Sequence, residues 1–379
     1  MALVLNEEQQ MLKESAKGFL QETAPVEALR KLRDERDPMG YSRELWEQMA
    51  EMGWSGILVD EAYGGLAFGH VGMGQVMEEN GRTLTASPLF STAILGVSLI
   101  SLAGSDAQKS ALLPAIIEGK LVTALAIESG SRHRPAYTGV QASSSGEGYR
   151  LSGEKQFVID GHVAGKLIVS ARTSGAEGDQ DGISLFLVDA GTAGLEIERV
   201  IMADSINSAI VRFKDVEVGA DACLGPVDQG FAPLQQVLDI GNVHLAAELL
   251  GIAQEVFERT VQYMKERRQY GALIGSYQGL QHRAAHLFSE IELAKSVVIK
   301  ALQALDEGSD DLRLLVSLAK AKVGEVATLA TNEAVQLHGG IGMTDELEIG
   351  FFMKRARVAE QVFGDQRFHQ GRFAALQGY

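Results

Sequence analysis

Cysteine is almost missing from this chain: Cys223 stands alone among 379 residues. No internal disulfide can form, which makes a reducing, cytoplasmic setting the default expectation. Basic side chains are also short in supply, 34 against 50 acidic ones, for a formal charge of -16. A field of that sign repels polyphosphate backbones, so nucleic acid is not an expected partner, and an anionic ligand must be met by a local basic site. The opening MALVLNEEQQ carries no basic-then-apolar leader. The long uncharged stretch from Ala86 to Ser105 holds a proline, two glycines and many hydroxyls without a basic flank, and reads as a buried helix rather than a membrane span.

What is present is apolar material enough for a large core, 46% of residues against 22% charged, over a length that suggests two to three structural units. Residues 1 to 120 read as an α-helical domain. Asn6 with Gln9 makes a capping box, Leu12, Ala16, Phe19 and Leu20 form one stripe, and Ser42 starts a helix that Gly53 stops. Gly64 and Gly65 mark a loop. From Leu121 the texture changes to short runs, LVTALAI, YRLSG, KQFVI, KLIVSA, ISLFLV and AIVRF, separated by Gly, Ser and Asp clusters. Residues 121–228 are therefore expected to form an antiparallel β sandwich or barrel. After GPVDQG the period returns to helical, with segments at Phe231–Glu266, Tyr277–Leu305, Asp310–Leu337 and a shorter one at Glu346–Val362. Residues 229–379 read as a four-helix bundle, giving an α+β chain in the order helical, β, helical.

Two stretches of this last region look built for more than packing. In ERRQYGALIGSYQGLQHR, Arg267, Arg268, Gln269, Gly271, Gln278 and Gln281 gather at the joint between two long helices. A guanidinium beside a helix start holds a pyrophosphate well; a solvated basic turn is the plainer alternative. In QLHGGIGMTDE, Gly339, Gly340 and Gly342 break a helix directly after Gln336 and His338, where backbone amides can approach a ligand. No strand is expected before it, so it is no dinucleotide fingerprint.

Taken together with the opening EEQQMLKESAKGFL and the helical, β, helical order, these motifs resemble the acyl-CoA dehydrogenase family over nearly the whole chain. The resemblance implies FAD as cofactor, an acyl-CoA thioester as substrate and an electron-transferring flavoprotein as acceptor. It also implies that Arg267, Gln278, Gln336, Leu337, His338, Gly339 and Gly340 contact the FAD of a neighbouring subunit.

Departures from the family pattern are as informative. The resemblance places a catalytic glutamate 23 residues after the paired glycines, and counting from Gly340 lands on Phe363, in Val362-Phe363-Gly364-Asp365. Its alternative seat, in the first bundle helix, falls on Gly241 of Leu238-Asp239-Ile240-Gly241-Asn242. Neither phenylalanine nor glycine takes the α-proton that the reaction removes while hydride leaves Cβ. In the middle region Arg132, His133 and Arg134 replace small residues of a flavin-lining segment, and Phe157 and Ile159 stand for the usual Trp and hydroxyl. Arg132 and Arg134 are open to three readings: filling an abandoned phosphate pocket, touching CoA phosphates, or plain surface charge.

The combination resembles the small chains of heteromeric acyl-CoA dehydrogenases of the pimeloyl-CoA dehydrogenase type, and implies a base-lacking subunit of an α2β2 enzyme whose larger chain owns the glutamate. Two alternatives stay open: a self-sufficient homotetramer with a relocated base, Glu248, Glu360 or Asp365, and a flavin-free structural subunit. Asp365 reads more readily as a capping acid. His282, His286 and Glu290 share a helix face, but three ligands from one helix seldom close a metal site, and no metal is expected.

Overall fold

A computed structural model describes residues 3–379. By their contacts the residues form two compact units, each discontinuous in sequence: one holds the chain up to Lys31, Gly69–Thr85 and Asn242–Tyr379, the other Leu32–Phe68 and Ala86–Gly241.

The N-terminal third is helical, as its periodicity requires: α1 (Glu7–Thr23), α2 (Val26–Asp34), α3 (Arg43–Glu51), α4 (His70–Thr83), a π-helical segment Leu89–Gly96 leading into α5 (Val97–Ala103), and α6 (Asp106–Ile117). The Asn6–Gln9 capping box closes in both directions, at 2.8 and 3.1 Å. Ser42 caps α3 by accepting from the Leu45 amide, and Gly53 ends it at φ +80°. The run from Ala86 to Ser105 is buried protein core over most of its length, and no helix among the described residues is long and apolar enough to cross a membrane.

The middle region is a curled seven-stranded sheet: β1 (Thr123–Ala126), β2 (Gln141–Ser145), β3 (Gly148–Ile159), β4 (Lys166–Arg172), β5 (Ile183–Asp189), β6 (Leu195–Ile201) and β7 (Asn207–Gly219). Its order is β1-β4-β2-β3-β7-β6, with β5 on β4. The antiparallel expectation holds for the β2–β3, β3–β7, β4–β5 and β6–β7 pairs. It fails on both sides of β4, which β1 joins in parallel, Thr123 facing Lys166, and which β2 meets in parallel at Gln141–Arg172. The runs YRLSG and KQFVI are one strand, kept in register with β7 by bulges near Gly153 and Phe157. Strands β2 and β6 went unread because QASSS is polar and LEIERVI alternates charges outward. Leu151, Val158, Val169, Phe186, Val211 and Phe213 centre the core of this sheet.

The C-terminal region opens with α7 (Phe231–Glu266), followed by a small hairpin, β8 (Arg268–Gln269) and β9 (Ala272–Leu273), then α8 (Gln278–Glu307), α9 (Leu312–His338), α10 (Ile349–Gln361) and α11 (Gln366–Leu376). The fifth helix, α11, was not anticipated; it starts because Asp365 accepts from the Phe368 amide as its N-cap. In the first unit, α4 packs on α7 and α8 through glycines. A Cβ on Gly81 would lie 2.1 Å from the Glu248 carbonyl oxygen, and one on Gly251 would lie 1.9 Å from that of Glu78. Only bare backbone lets helices meet this closely.

Candidate active site

Both sequence motifs lie in the first unit, and one apolar cluster ties them together. The chain leaves α7 with the Arg267 amide still bonded to the Tyr263 carbonyl, turns at Gly271 (φ +80°), and returns so that the Ile274 amide meets the Arg267 carbonyl at 2.9 Å. Met264 and Ile274 from this turn pack with Leu337 from the end of α9, flanked by Tyr263, Leu280 and Ala284. Tyr277 offers no side-chain cap to the 30-residue α8; its carbonyl takes the Leu280 and Gln281 amides, at 3.0 and 3.1 Å, and the Gln278 and Gly279 amides ahead of them remain open.

Arg267, Gln278, Gln336, Gly339 and Gly340 are exposed here, and a Cβ on either glycine would meet nothing within 4 Å. Leu337 and His338 are buried instead. The His338 ring lies 4.4 Å from that of Tyr263, and its Nδ1 donates to the Ala334 carbonyl at 2.7 Å, which assigns the proton to Nδ1. Burial pushes its pKa below the usual range. These two residues therefore form the wall behind the surface that the other five present. An open helix start, a guanidinium and an open glycine turn fit an anionic pyrophosphate such as that of a flavin dinucleotide.

The stretch Val362-Phe363-Gly364 forms the turn between α10 and α11. Phe363 is held at φ +57°, unusual for an aromatic residue, and Gly364 at φ +107°. The carbonyls of Glu360, Val362 and Gly364 all accept from the Lys320 ammonium, at 3.3, 2.6 and 3.3 Å. The Phe363 carbonyl accepts from Asn242 Nδ2 at 3.4 Å and from His369 Nε2 at 3.2 Å. Asn242 thereby bonds α7 to this turn. Lys320 is 1% exposed, and burial pushes its pKa down to about 7 against the upward pull of Glu360, Asp365 and Glu248.

The three carboxylates considered as relocated bases each have structural partners. Glu248, 1% exposed, is bidentate with Arg355, Oε1 to Nε at 2.5 Å and Oε2 to Nη2 at 2.9 Å. Glu360 accepts from the Gln366 amide at 2.7 Å and from Gln361 Nε2 at 2.6 Å. Asp365 caps α11 at 2.8 Å. On α8, Glu290 pairs with Lys322 and lies 4.0 Å from His286 Nε2, and both His282 and His286 are exposed.

In the second unit, the segment after β1 is pinned from beneath by Lys155. This buried ammonium reaches the Ile127 carbonyl at 2.7 Å, Thr138 Oγ1 at 2.8 Å and Ser170 Oγ at 3.0 Å, and burial draws its pKa down to about 7. His133 folds in on Glu128 at 2.5 Å. Arg132 is exposed, and the exposed Arg134 stacks over the Tyr137 ring at 5.4 Å. Phe157 sits at φ +51° in its bulge, 45% exposed, and Ile159 is half-buried.

Sequence reading missed Lys320, His369 and Arg355. A signal for Lys320 existed: in LLVSLAKAKVGEV it falls on the apolar stripe of Val316, Ala319, Val323 and Ala327, where a lysine needs a reason.

Helical domain, curled sheet and helical bundle in this order define a class of flavin-dependent oxidoreductases. Three family models match in sequence: the acyl-CoA dehydrogenase N-terminal domain over residues 6–120, its middle domain over 127–216 and its C-terminal domain over 228–375. The chain belongs to the acyl-CoA dehydrogenase family, FAD-dependent enzymes acting on CH–CH bonds. It is 32% identical over 368 residues to cyclohex-1-ene-1-carbonyl-CoA dehydrogenase of Syntrophus aciditrophicus, covering 95% of this chain and 87% of that one. It is 27% identical to the caffeyl-CoA reductase–Etf complex subunit CarC of Acetobacterium woodii, covering 97% of each. The structure superposes on butyryl-CoA dehydrogenase of Megasphaera elsdenii with a TM-score of 0.91 over 100% of both chains, at 26% identity.

Proposed function

We propose that this acyl-CoA dehydrogenase chain is the small, base-lacking subunit of an α2β2 enzyme of the pimeloyl-CoA dehydrogenase small-chain type. It lends its motifs to FAD held mainly by a larger partner. What supports the reading is the α10–α11 turn: Phe363 stands at the position to which the family resemblance assigns the catalytic carboxylate, and Glu248, Glu360 and Asp365 are committed to an ion pair, a turn amide and a helix cap.

Arg267, Gln278 and the open amides of α8, with Gln336 and the Gly339–Gly340 turn, would hold the dinucleotide end of FAD; Leu337 and His338 keep that surface rigid from behind. Bound FAD supplies the acceptor for the hydride that leaves Cβ of the thioester. The larger chain provides the group that takes the α-proton. An electron-transferring flavoprotein is the proposed electron acceptor, a reading supported by the Etf complex to which the caffeyl-CoA reductase relative belongs by name.

The test is to purify the chain alone and together with a larger homologue. The expected outcome is tightly held flavin and enoyl-CoA formation only from the pair. A yellow lone chain that oxidises a saturated acyl-CoA overturns the reading in favour of a self-sufficient enzyme. A flavin-free pair supports a purely structural role.

A further inference from the structure

The end of α10 poses an accounting problem. A helix leaves its last carbonyls without intrahelical partners, and a glycine turn or water ordinarily satisfies them. Here the Val358 carbonyl takes the Val362 amide at 3.2 Å and the Gln361 carbonyl the Gly364 amide at 3.3 Å, while the Glu360 carbonyl turns to a buried side chain, Lys320. Lys320 Nζ lies among four oxygens: Val362 at 2.6 Å, and Glu360, Gly364 and Asn242 Oδ1 each at 3.3 Å. A positive φ at Phe363 persists only where surrounding contacts over-determine it, and this lysine makes three of the bonds that do so.

We propose that Lys320 is a proton-operated clasp on the Glu360–Gly364 turn, closed as an ammonium and opened as a free amine. An ammonium has three N–H bonds to divide among four oxygens. A neutral amine has two, and its lone pair then faces a carbonyl oxygen, so at least one bond becomes a repulsion. The charged groups acting on Lys320 are Glu360 from α10, Asp365 at the head of α11 and Glu248 from α7, all of which favour the closed form; among the described residues none from α8 does. Glu248 is neutralised by Arg355, leaving Glu360 and Asp365 as the counter-charges. Burial opposes them and brings the transition to about pH 7. His369, the other titratable group on the turn, donates to the Phe363 carbonyl and keeps that donor in either protonation state.

Amide hydrogen exchange of the full chain between pH 6 and 9, corrected for intrinsic rates, tests this. Protection of the Gly364 and Gln366 amides is expected to fall at least tenfold as pH rises through 7 to 8. Lys320→Arg, which stays charged, is expected to hold protection to pH 9; Lys320→Met is expected to lack it throughout. His369→Gln is expected to leave the transition in place. Protection independent of pH in the native chain overturns the proposal. So does a Lys320→Arg variant that follows the native curve, or loss of the transition in His369→Gln. Should Lys320→Met fail to fold, the arginine variant alone decides.

Discussion

Glu248 and Arg355 face each other across α7 and α10 in a two-point ion pair, at 2.5 and 2.9 Å, with the carboxylate withdrawn from solvent. Removing one member leaves the other buried and uncompensated, at a cost of about 3–5 kcal/mol, whereas exchanging both for apolar residues of similar volume is close to neutral. Glu248→Gln is therefore expected to lower the denaturation midpoint strongly, and Glu248→Leu/Arg355→Met to recover most of it. In the assembled enzyme, turnover per folded molecule should survive Glu248→Gln. Loss of turnover without loss of stability would identify Glu248 as the proton acceptor after all.

Arg267 is exposed at the open start of α8, and its contribution is expected to lie in binding rather than folding. Deleting a charge-assisted bond to a phosphate costs about 1.5–3 kcal/mol, about 10- to 150-fold in affinity. Arg267→Ala should leave the melting curve of the flavin-free chain unchanged and reduce the flavin content of the assembly. Unchanged flavin content would favour the scaffold reading.

His244 sets the acid limit of the first unit. Its ring is fully buried, with Nε2 3.1 Å from Nδ1 of His70, and burial holds its pKa well below the usual value of 6.5. Below pH 6.5 the unfolded chain binds a proton that the folded chain excludes. Stability is thus fully present above pH 6.5 and declines as pH falls, by about 1.4 kcal/mol per pH unit for this one group. Denaturant titrations between pH 5 and 7.5 should show that slope, and His244→Gln should shed one proton's worth of it.

Gly251 meets the Glu78 carbonyl so closely that a methyl group cannot enter without parting two helices. Gly251→Ala is expected to destabilise by more than the 1–3 kcal/mol of ordinary overpacking, despite alanine's better helix propensity. Gly279→Ala, on α8 where a Cβ meets nothing, is the control and should be neutral or slightly stabilising.

Elements set by local chemistry were legible from the residues themselves. The Asn6 box, the Ser42 cap and the start of α7 at Phe231 each depend on a few neighbouring positions. The parallel partner of β1 was not legible, because pairing across about 40 residues leaves no mark on a four-residue strand. The site divides in the same way. Arg267 and the Gln336–Gly340 turn announce themselves by composition, while the cluster joining them needs the Met264–Leu337 contact, which no spacing encodes. Glu248 was visible as an acid on a buried helix, but its neutraliser lies 107 positions away.

The first unit is assembled from the two ends of the chain: α1 packs on α4, and both belong with the C-terminal segment that runs from Asn242 onward. At a synthesis rate of about 5–20 residues per second, the opening helices leave the ribosome on the order of ten seconds or more before their partners exist. Their apolar stripes, Leu20 and Met73 among them, stay without a home through that interval. Nascent chains stalled before Asn242 should therefore recruit chaperones through the N-terminal helices, and a ribosome pause in that window would carry a risk of aggregation that the finished molecule no longer shows.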